Sequence, residues 1–187
     1  MSGTKQRIYY WDACIYLAWL KGEESHGKEH MAALKVIAQE NFEMKNVIIT
    51  SVITQIEVLS AKLTPDQEEL FKKSFRSQFH IQYDVDPPIA QKARQFRESL
   101  LNPSAKGLAL PDAIHLATAA IYKADEVLTF DDGQKDKKSL GLLELNGNER
   151  VEKLVIRKPT VPQAELGLAT TIPAEITPPI RKFNFGE

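Results

Sequence analysis

The stretch over residues 110–133, LPDAIHLATAAIYKADEVLTFDDG, constrains the fold more than any other part of the chain. Pro111 favours the first turn of a helix, and Asp112 complements the positive end of a helix dipole, so a helix is predicted to open here. Residues 126–130 are β-branched and aromatic, which predicts a buried strand that stops at Asp131. In a parallel α/β sheet, helix N-termini and strand C-termini share one edge. The stretch is therefore predicted to bring the carboxylates of Asp112 and Asp131 to one rim.

Strands and helices alternate over the rest of the chain. This alternation predicts an α/β fold with a mostly parallel central sheet flanked by helices on both faces. Apolar residues at three- and four-residue spacing predict the helices. The predicted strands end at Asp12, Thr50, Val85, Phe130 and Arg157.

Local signals predict several element boundaries. Ser51 is predicted to cap a helix over residues 52–62, and the sequence that begins at Thr64, TPDQ, has the form of a capping box. Phe71, Phe75 and Phe79 recur every four residues, which predicts one buried helical face. A short helix is predicted within residues 140–145, and a final strand over residues 150–157.

Four acidic residues are expected to meet at the rim. Asp12 ends the first strand, and Glu57 lies in the helix after the second strand, about 9 Å along its axis. Together with Asp112 and Asp131 they would repel one another, because neighbouring like charges raise each other's pKa. Mg²⁺ prefers oxygen ligands and commonly lies between carboxylates and a substrate phosphate. The sequence therefore predicts a magnesium site that can activate water for an in-line displacement at phosphorus.

Length, charge and cysteine content narrow the function classes. The 187 residues suit one domain, predicted over residues 1–157, followed by a proline-rich arm over residues 158–187 that is extended or disordered. No apolar run reaches the roughly 18 residues that cross a bilayer, and the single Cys14 permits no intrachain disulfide. A cytoplasmic protein without a membrane partner is expected. The 24 basic and 25 acidic residues do not form a basic domain, so metal ions or local basic patches would have to offset the charge of a bound polyanion.

The residues around the four acids resemble those of a known family. The strand before Asp12, TSVITQIEVL around Glu57, LPDAIHLATA around Asp112 and VLTFDD around Asp131 are similar to the four acidic motifs of PIN-domain nucleases. Their order and spacing, over residues 7–157, are most similar to those of VapC-type toxins of type II toxin–antitoxin pairs.

This resemblance implies a Mg²⁺- or Mn²⁺-dependent endoribonuclease. It also implies an RNA substrate such as tRNA, a homodimer, and a cognate antitoxin that holds the nuclease inactive by occupying the acidic groove. The catalytic and metal-binding residues implied are Asp12, Glu57, Asp112 and Asp131.

The chain departs from the family pattern in one place, and two other function classes stay open. Family members often carry a hydroxyl or amide just after the first acid, where this chain has Ala13 and Cys14. Asp132 competes with Asp131 for the fourth position, and the motif favours Asp131. The alternatives are a non-catalytic PIN-like module that binds RNA or protein, and a Mg²⁺-dependent phosphatase of the haloacid dehalogenase type. The phosphatase chemistry needs a second aspartate two residues after Asp12, where Cys14 stands.

The histidines have plainer interpretations than metal binding. His115 is expected to share a helix face with Asp112 and to make a structural hydrogen bond. His26 and His30 have the spacing of a zinc pair, but no further ligands are in sight, so a solvated helix start is expected there.

Overall fold

The computed structural model describes residues 6–101, 107–133 and 139–161. Over these residues, five strands form one sheet in the order β3-β2-β1-β4-β5, and every neighbouring pair is parallel. The predicted parallel α/β sheet is confirmed. Its strands are β1 (Arg7–Trp11), β2 (Asn46–Ser51), β3 (His80–Tyr83), β4 (Glu126–Leu128) and β5 (Ile156–Arg157).

Helices cover both faces of the sheet, as predicted. They are α1 (Ala13–Lys21), α2 (Lys28–Phe42), α3 (Ile53–Leu59), α4 (Pro65–Ser74), α5 (Pro87–Ser99) and α6 (Leu110–Ile121). Short 3-10 helices lie at Glu24–His26, Leu142–Leu145 and Glu149–Val151.

The alternation of side chains along β1 divides the core into two clusters. Tyr10 points into the cluster formed with α5 and α6, whereas Tyr9 and Trp11 point into the cluster formed with α1, α2 and α4. Because β1 is covered on both faces, the side chains of Tyr10 and Trp11 are fully buried. The backbone at the end of β1 is thereby held rigidly, and this is where Asp12 stands.

Three predicted boundaries are wrong. Ser51 does not cap a helix, because it is the last residue of β2 and its amide donates to the Tyr10 hydroxyl at 3.1 Å; α3 has no side-chain cap and ends at Leu59. The aromatic stripe leaves the helix: α4 ends at Ser74, and Phe79 lies just before β3, where its carbonyl accepts a hydrogen bond from β2. The final strand is only Ile156–Arg157, because residues 149–151 turn as a 3-10 helix.

The capping box at Thr64 is confirmed, since its hydroxyl accepts from the amide of Gln67 and the Gln67 side chain accepts in return. The capped helix, α4, packs Phe71 into the core cluster that also contains residues of α1 and α2, called the α1–α2 core cluster below.

The predicted arm falls almost entirely on residues 162–187, which lie outside the described residues. Directly after β5, the Pro159 carbonyl pairs with His30 Nδ1 at 2.9 Å, and Val161 packs against the α1–α2 core cluster. The division of the chain at residue 157 stays a prediction. Among the helices that the structure describes, none is both long and apolar enough to cross a membrane.

Candidate active site

The four predicted acids lie at the carboxyl edge of the sheet, around its switch point. From β1 the chain continues to β2 on one side, and later returns to β4 on the other side. In such sheets the crevice where the strand order reverses is the usual ligand site. Asp12 follows β1, Glu57 is carried by the helix after β2, Asp131 follows β4, and Asp112 lies in the first turn of α6.

Asp12 is buried and is held by three donors. Its Oδ1 accepts from the amide of Ile15 at 3.0 Å and from the thiol of Cys14 at 2.9 Å, and its Oδ2 accepts from the Thr129 hydroxyl at 2.5 Å. Burial raises the pKa of Asp12, and the hydrogen bonds from Cys14, Thr129 and Ile15 lower it. The carboxylate also caps α1. Oδ2 accepts only one bond from the described residues, which leaves a lone pair for a cation.

Cys14, which stands where family members often have a hydroxyl or amide, donates a hydrogen bond to Asp12. Burial raises the pKa of its thiol, so the proton stays on sulfur and is donated to Asp12. The same sulfur accepts from the amide of Phe130 at 3.0 Å. The departure from the family pattern therefore preserves a donor to the first acid.

Asp131 is fixed by two backbone amides that follow it in the chain. Its Oδ1 accepts from Gly133 at 3.0 Å and its Oδ2 from Leu142 at 3.0 Å, while its own amide donates to Thr129 Oγ1 at 2.9 Å. Each oxygen accepts one hydrogen bond from the described residues and keeps a further lone pair. Thr129 thus links Asp12 to Asp131 through one hydroxyl.

Glu57 is connected to α6 and β1 by a chain of hydrogen bonds. Its Oε2 pairs with His115 Nε2 at 2.8 Å, and His115 Nδ1 pairs with the Tyr10 hydroxyl at 2.7 Å. Both His115 and Tyr10 are buried, whereas Glu57 is half-buried. The expectation that His115 makes a structural hydrogen bond is consistent with these contacts, but its partner is one of the four acids.

Asp112 is the acid whose ionised form is least supported. No group among residues 6–101, 107–133 and 139–161 donates a hydrogen bond to its carboxylate. The pKa of Asp112 is raised from 3.8 to about 7, chiefly by burial; His115 opposes this rise, and the charges of Asp131, Asp12 and Glu57 contribute to it. All four acids therefore share one electrostatic environment, and in it the proton of Asp112 is poised to leave when positive charge arrives.

The donor set fits a hard divalent cation by chemistry and charge. All four side chains offer carboxylate oxygens, which Mg²⁺ and Mn²⁺ accept, and Asp112 has no competing donor. Over the described parts of the chain, no three His, Cys, Asp or Glu side chains form a ready-made metal cluster. A cation would therefore bind only if the four carboxylate side chains moved closer together around it.

The other candidate ligands, Asp132, His26 and His30, differ from the four acids in their surroundings. Asp132 is exposed, and it is not among the acids that raise the pKa of Asp112. His26 stacks on the Phe130 ring with centroids 4.0 Å apart, and His30 contacts the Pro159 carbonyl.

The comparisons with known proteins agree with this architecture. A family model described as the PIN domain matches residues 9–140, which is most of the chain. The chain belongs to the PIN domain family. PIN domains are generally nucleases, so the chemistry predicted from the four acids matches the family.

The fold of this PIN domain is similar to that of a solved structure titled FitAcB from Neisseria gonorrhoeae. The TM-score is 0.50, and the alignment covers 81% of this chain and 97% of that one. The sequences are only 14% identical, so the likeness concerns the fold alone. No curated protein matches the chain.

Sequence reasoning missed Thr129 and Tyr10 as parts of the site. Thr129 stands two residues before Asp131, so the motif already placed it at the rim, and this position was the available signal. Tyr10 carried none, because an aromatic residue inside a strand is predicted to be core.

Proposed function

We propose that this PIN domain is a metal-dependent endoribonuclease in which Asp12, Glu57, Asp112 and Asp131 hold Mg²⁺ or Mn²⁺. The observation that carries the proposal is the arrival of four carboxylates, from four separate elements, at the switch point of a parallel sheet. Among the residues that the structure describes, no Lys or Arg side chain bonds to any of the four acids. Neighbouring carboxylates without such partners repel one another, and a bound cation would relieve this repulsion, whereas a purely structural role would favour Lys or Arg partners.

Each residue has a distinct part in holding the site. Asp12 and Asp131 are fixed by backbone and side-chain donors, so their remaining lone pairs point in set directions. Asp112 gives up its proton as the cation binds, which makes binding tighter as the pH rises toward neutrality. Held by these four carboxylates, a divalent ion would supply an activated water and would stabilise the leaving oxygen of the phosphodiester.

The proposed biological role is that of a VapC-type toxin in the cytoplasm. The order and spacing of the four motifs support this role, as does membership of the PIN domain family. In this role the chain forms a homodimer, cuts tRNA or another structured RNA, and is silenced by an antitoxin whose segment occupies the acidic groove.

An RNA cleavage assay tests the activity. The full chain, Asp112→Asn and Asp66→Asn are each incubated with RNA in Mg²⁺, in Mn²⁺ and in EDTA. Asp66 is the matched control, because it also follows a proline in the first turn of a helix but is exposed. We expect metal-dependent cleavage by the wild type and by Asp66→Asn, and none by Asp112→Asn.

Two results would overturn the proposal. Equal cleavage by the wild type and Asp112→Asn would remove the acids from the chemistry. RNA binding without cleavage, in protein shown to bind metal, would favour the non-catalytic module. The toxin role has its own test: expression in a bacterium should arrest growth for the wild type and not for Asp112→Asn.

A further inference from the structure

The buried histidine on α6 connects one of the four acids to the core. His115 is 2% exposed, and it lies one helical turn after Asp112. Both ring nitrogens are engaged, Nδ1 by the Tyr10 hydroxyl and Nε2 by Glu57. A buried histidine that bonds a half-buried acid at a sheet edge links the core to the site.

The hydrogen bonds favour one position for the proton on the imidazole ring. The Tyr10 hydroxyl oxygen already accepts from the amide of Ser51 at 3.1 Å, so its own proton is available to donate to Nδ1. A neutral imidazole that accepts at Nδ1 carries its proton at Nε2. That N–H faces Glu57 Oε2, so all three bonds form with every donor matched to an acceptor.

We infer that His115 is a positioning residue that holds the Glu57 carboxylate in place for metal binding, with Tyr10 setting the tautomer of the imidazole. The inference rests on the proposed function, since it assigns Glu57 to the metal. Glu57 needs such support because it is carried by α3, a helix without a side-chain cap. Its other oxygen, Oε1, accepts nothing from the part of the chain that the structure describes, and it stays available to the cation.

Partners of this kind strengthen metal sites by restricting the motion of the ligand, and a hydrogen bond donated to a carboxylate also favours its ionised, metal-binding form. Their removal typically weakens metal affinity by roughly 10- to 100-fold. Two substitutions, His115→Leu and His115→Gln, differ in whether a hydrogen-bond donor to Glu57 remains. Leucine at position 115 keeps bulk but has no N–H, whereas glutamine carries an amide N–H that can reach the place of Nε2.

The chain offers a matched control. His80 is also buried, and its Nε2 pairs with a buried tyrosine hydroxyl, that of Tyr16, at 2.6 Å. Tyr16 belongs to the α1–α2 core cluster, and in the described part of the chain none of the four acids bonds to this Tyr16–His80 pair. His80→Leu therefore reports the cost of losing a buried Tyr–His bond with the acids left intact.

The test is Mn²⁺ affinity, measured by calorimetry and by electron paramagnetic resonance on the full-length chain and its variants. We expect His115→Leu to weaken Mn²⁺ binding by roughly 10- to 100-fold. We expect His115→Gln to recover most of the loss, Tyr10→Phe to fall between them, and His80→Leu to bind like the wild type. Nitrogen NMR of the metal-free wild type should show Nε2 as the protonated nitrogen of His115 and Nδ1 as the hydrogen-bond acceptor, a readout that needs no variant.

The outcomes separate this inference from the proposed function. If His115→Leu binds Mn²⁺ like the wild type, or if the NMR places the proton on Nδ1, the positioning role is overturned while the nuclease proposal stands. If the wild type binds Mn²⁺ with the expected dependence on His115 but cuts no RNA, the proposed function fails and the positioning role stands. If the wild type binds no Mn²⁺, both are wrong.

Discussion

Asp112→Asn should make the metal-free protein more stable, and increasingly so as the pH rises. The folded state holds the Asp112 proton up to a pKa of about 7, whereas the unfolded chain releases it near 3.8. The folded state therefore binds more protons between these values, and the free energy of unfolding falls as pH rises through this window. At 1.36 kcal/mol per pH unit, the full difference corresponds to about 4 kcal/mol at alkaline pH.

The assay is urea unfolding in EDTA at about pH 5 and about pH 8. Part of the loss is already present at the lower pH, so the stability gained by Asp112→Asn should grow by about 3 kcal/mol between the two conditions. Asp66→Asn should show no such growth, because Asp66 is exposed; it should lose no more than about 1 kcal/mol, through the helix dipole. Adding Mn²⁺ should stabilise the wild type and leave Asp112→Asn unchanged.

A gain for Asp112→Asn that is the same at both pH values would refute the reasoning. So would a variant that is less stable than the wild type at the higher pH. Either result would mean that burial and the neighbouring acids do not raise the pKa of Asp112 in the folded state.

Two further predictions concern the groups that hold the acids. Thr129→Val should cost about 2 kcal/mol or more in urea unfolding, because it leaves a buried carboxylate oxygen of Asp12 without its donor. Thr118→Val, whose hydroxyl bonds only within α6, should cost less than about 1 kcal/mol; equal losses would remove Thr129 from its linking role. Gly133→Ala should lower Tm clearly more than Gly147→Ala, as measured by calorimetry. Both glycines have positive φ, but only at Gly133 would an added Cβ meet packed chain, so matching Tm values would contradict the tight turn after β4.

The sheet and its acidic edge were predictable because they depend on local signals. Pro111 and Asp112 mark the start of α6 without reference to any other element, and buried strands reveal themselves by composition. Once strands and helices alternate, parallel topology follows, and it places strand ends and helix starts on one edge. The position of each acid along the chain was therefore enough to predict the edge of the sheet at which it lies.

The contacts that hold the acids were not predictable, because they join distant residues. Thr129 and Asp12 are 117 positions apart, and His115 and Glu57 are 58 apart. These pairs depend on strand register, which sets Trp11 beside Leu128 and so fixes which side chains face each other. Ser51 shows the same limit on a smaller scale. Its sequence context favours a helix cap, but a hydrogen bond from its backbone to Tyr10 keeps it in β2.

The central claim is that four carboxylates from four elements form one metal pocket. The most direct measurement is an anomalous difference map at the manganese absorption edge, from crystals of the full chain grown with Mn²⁺. A peak bounded by Asp12, Glu57, Asp112 and Asp131 is predicted. A map without a peak there, or with manganese held only by other acidic residues, would contradict the account.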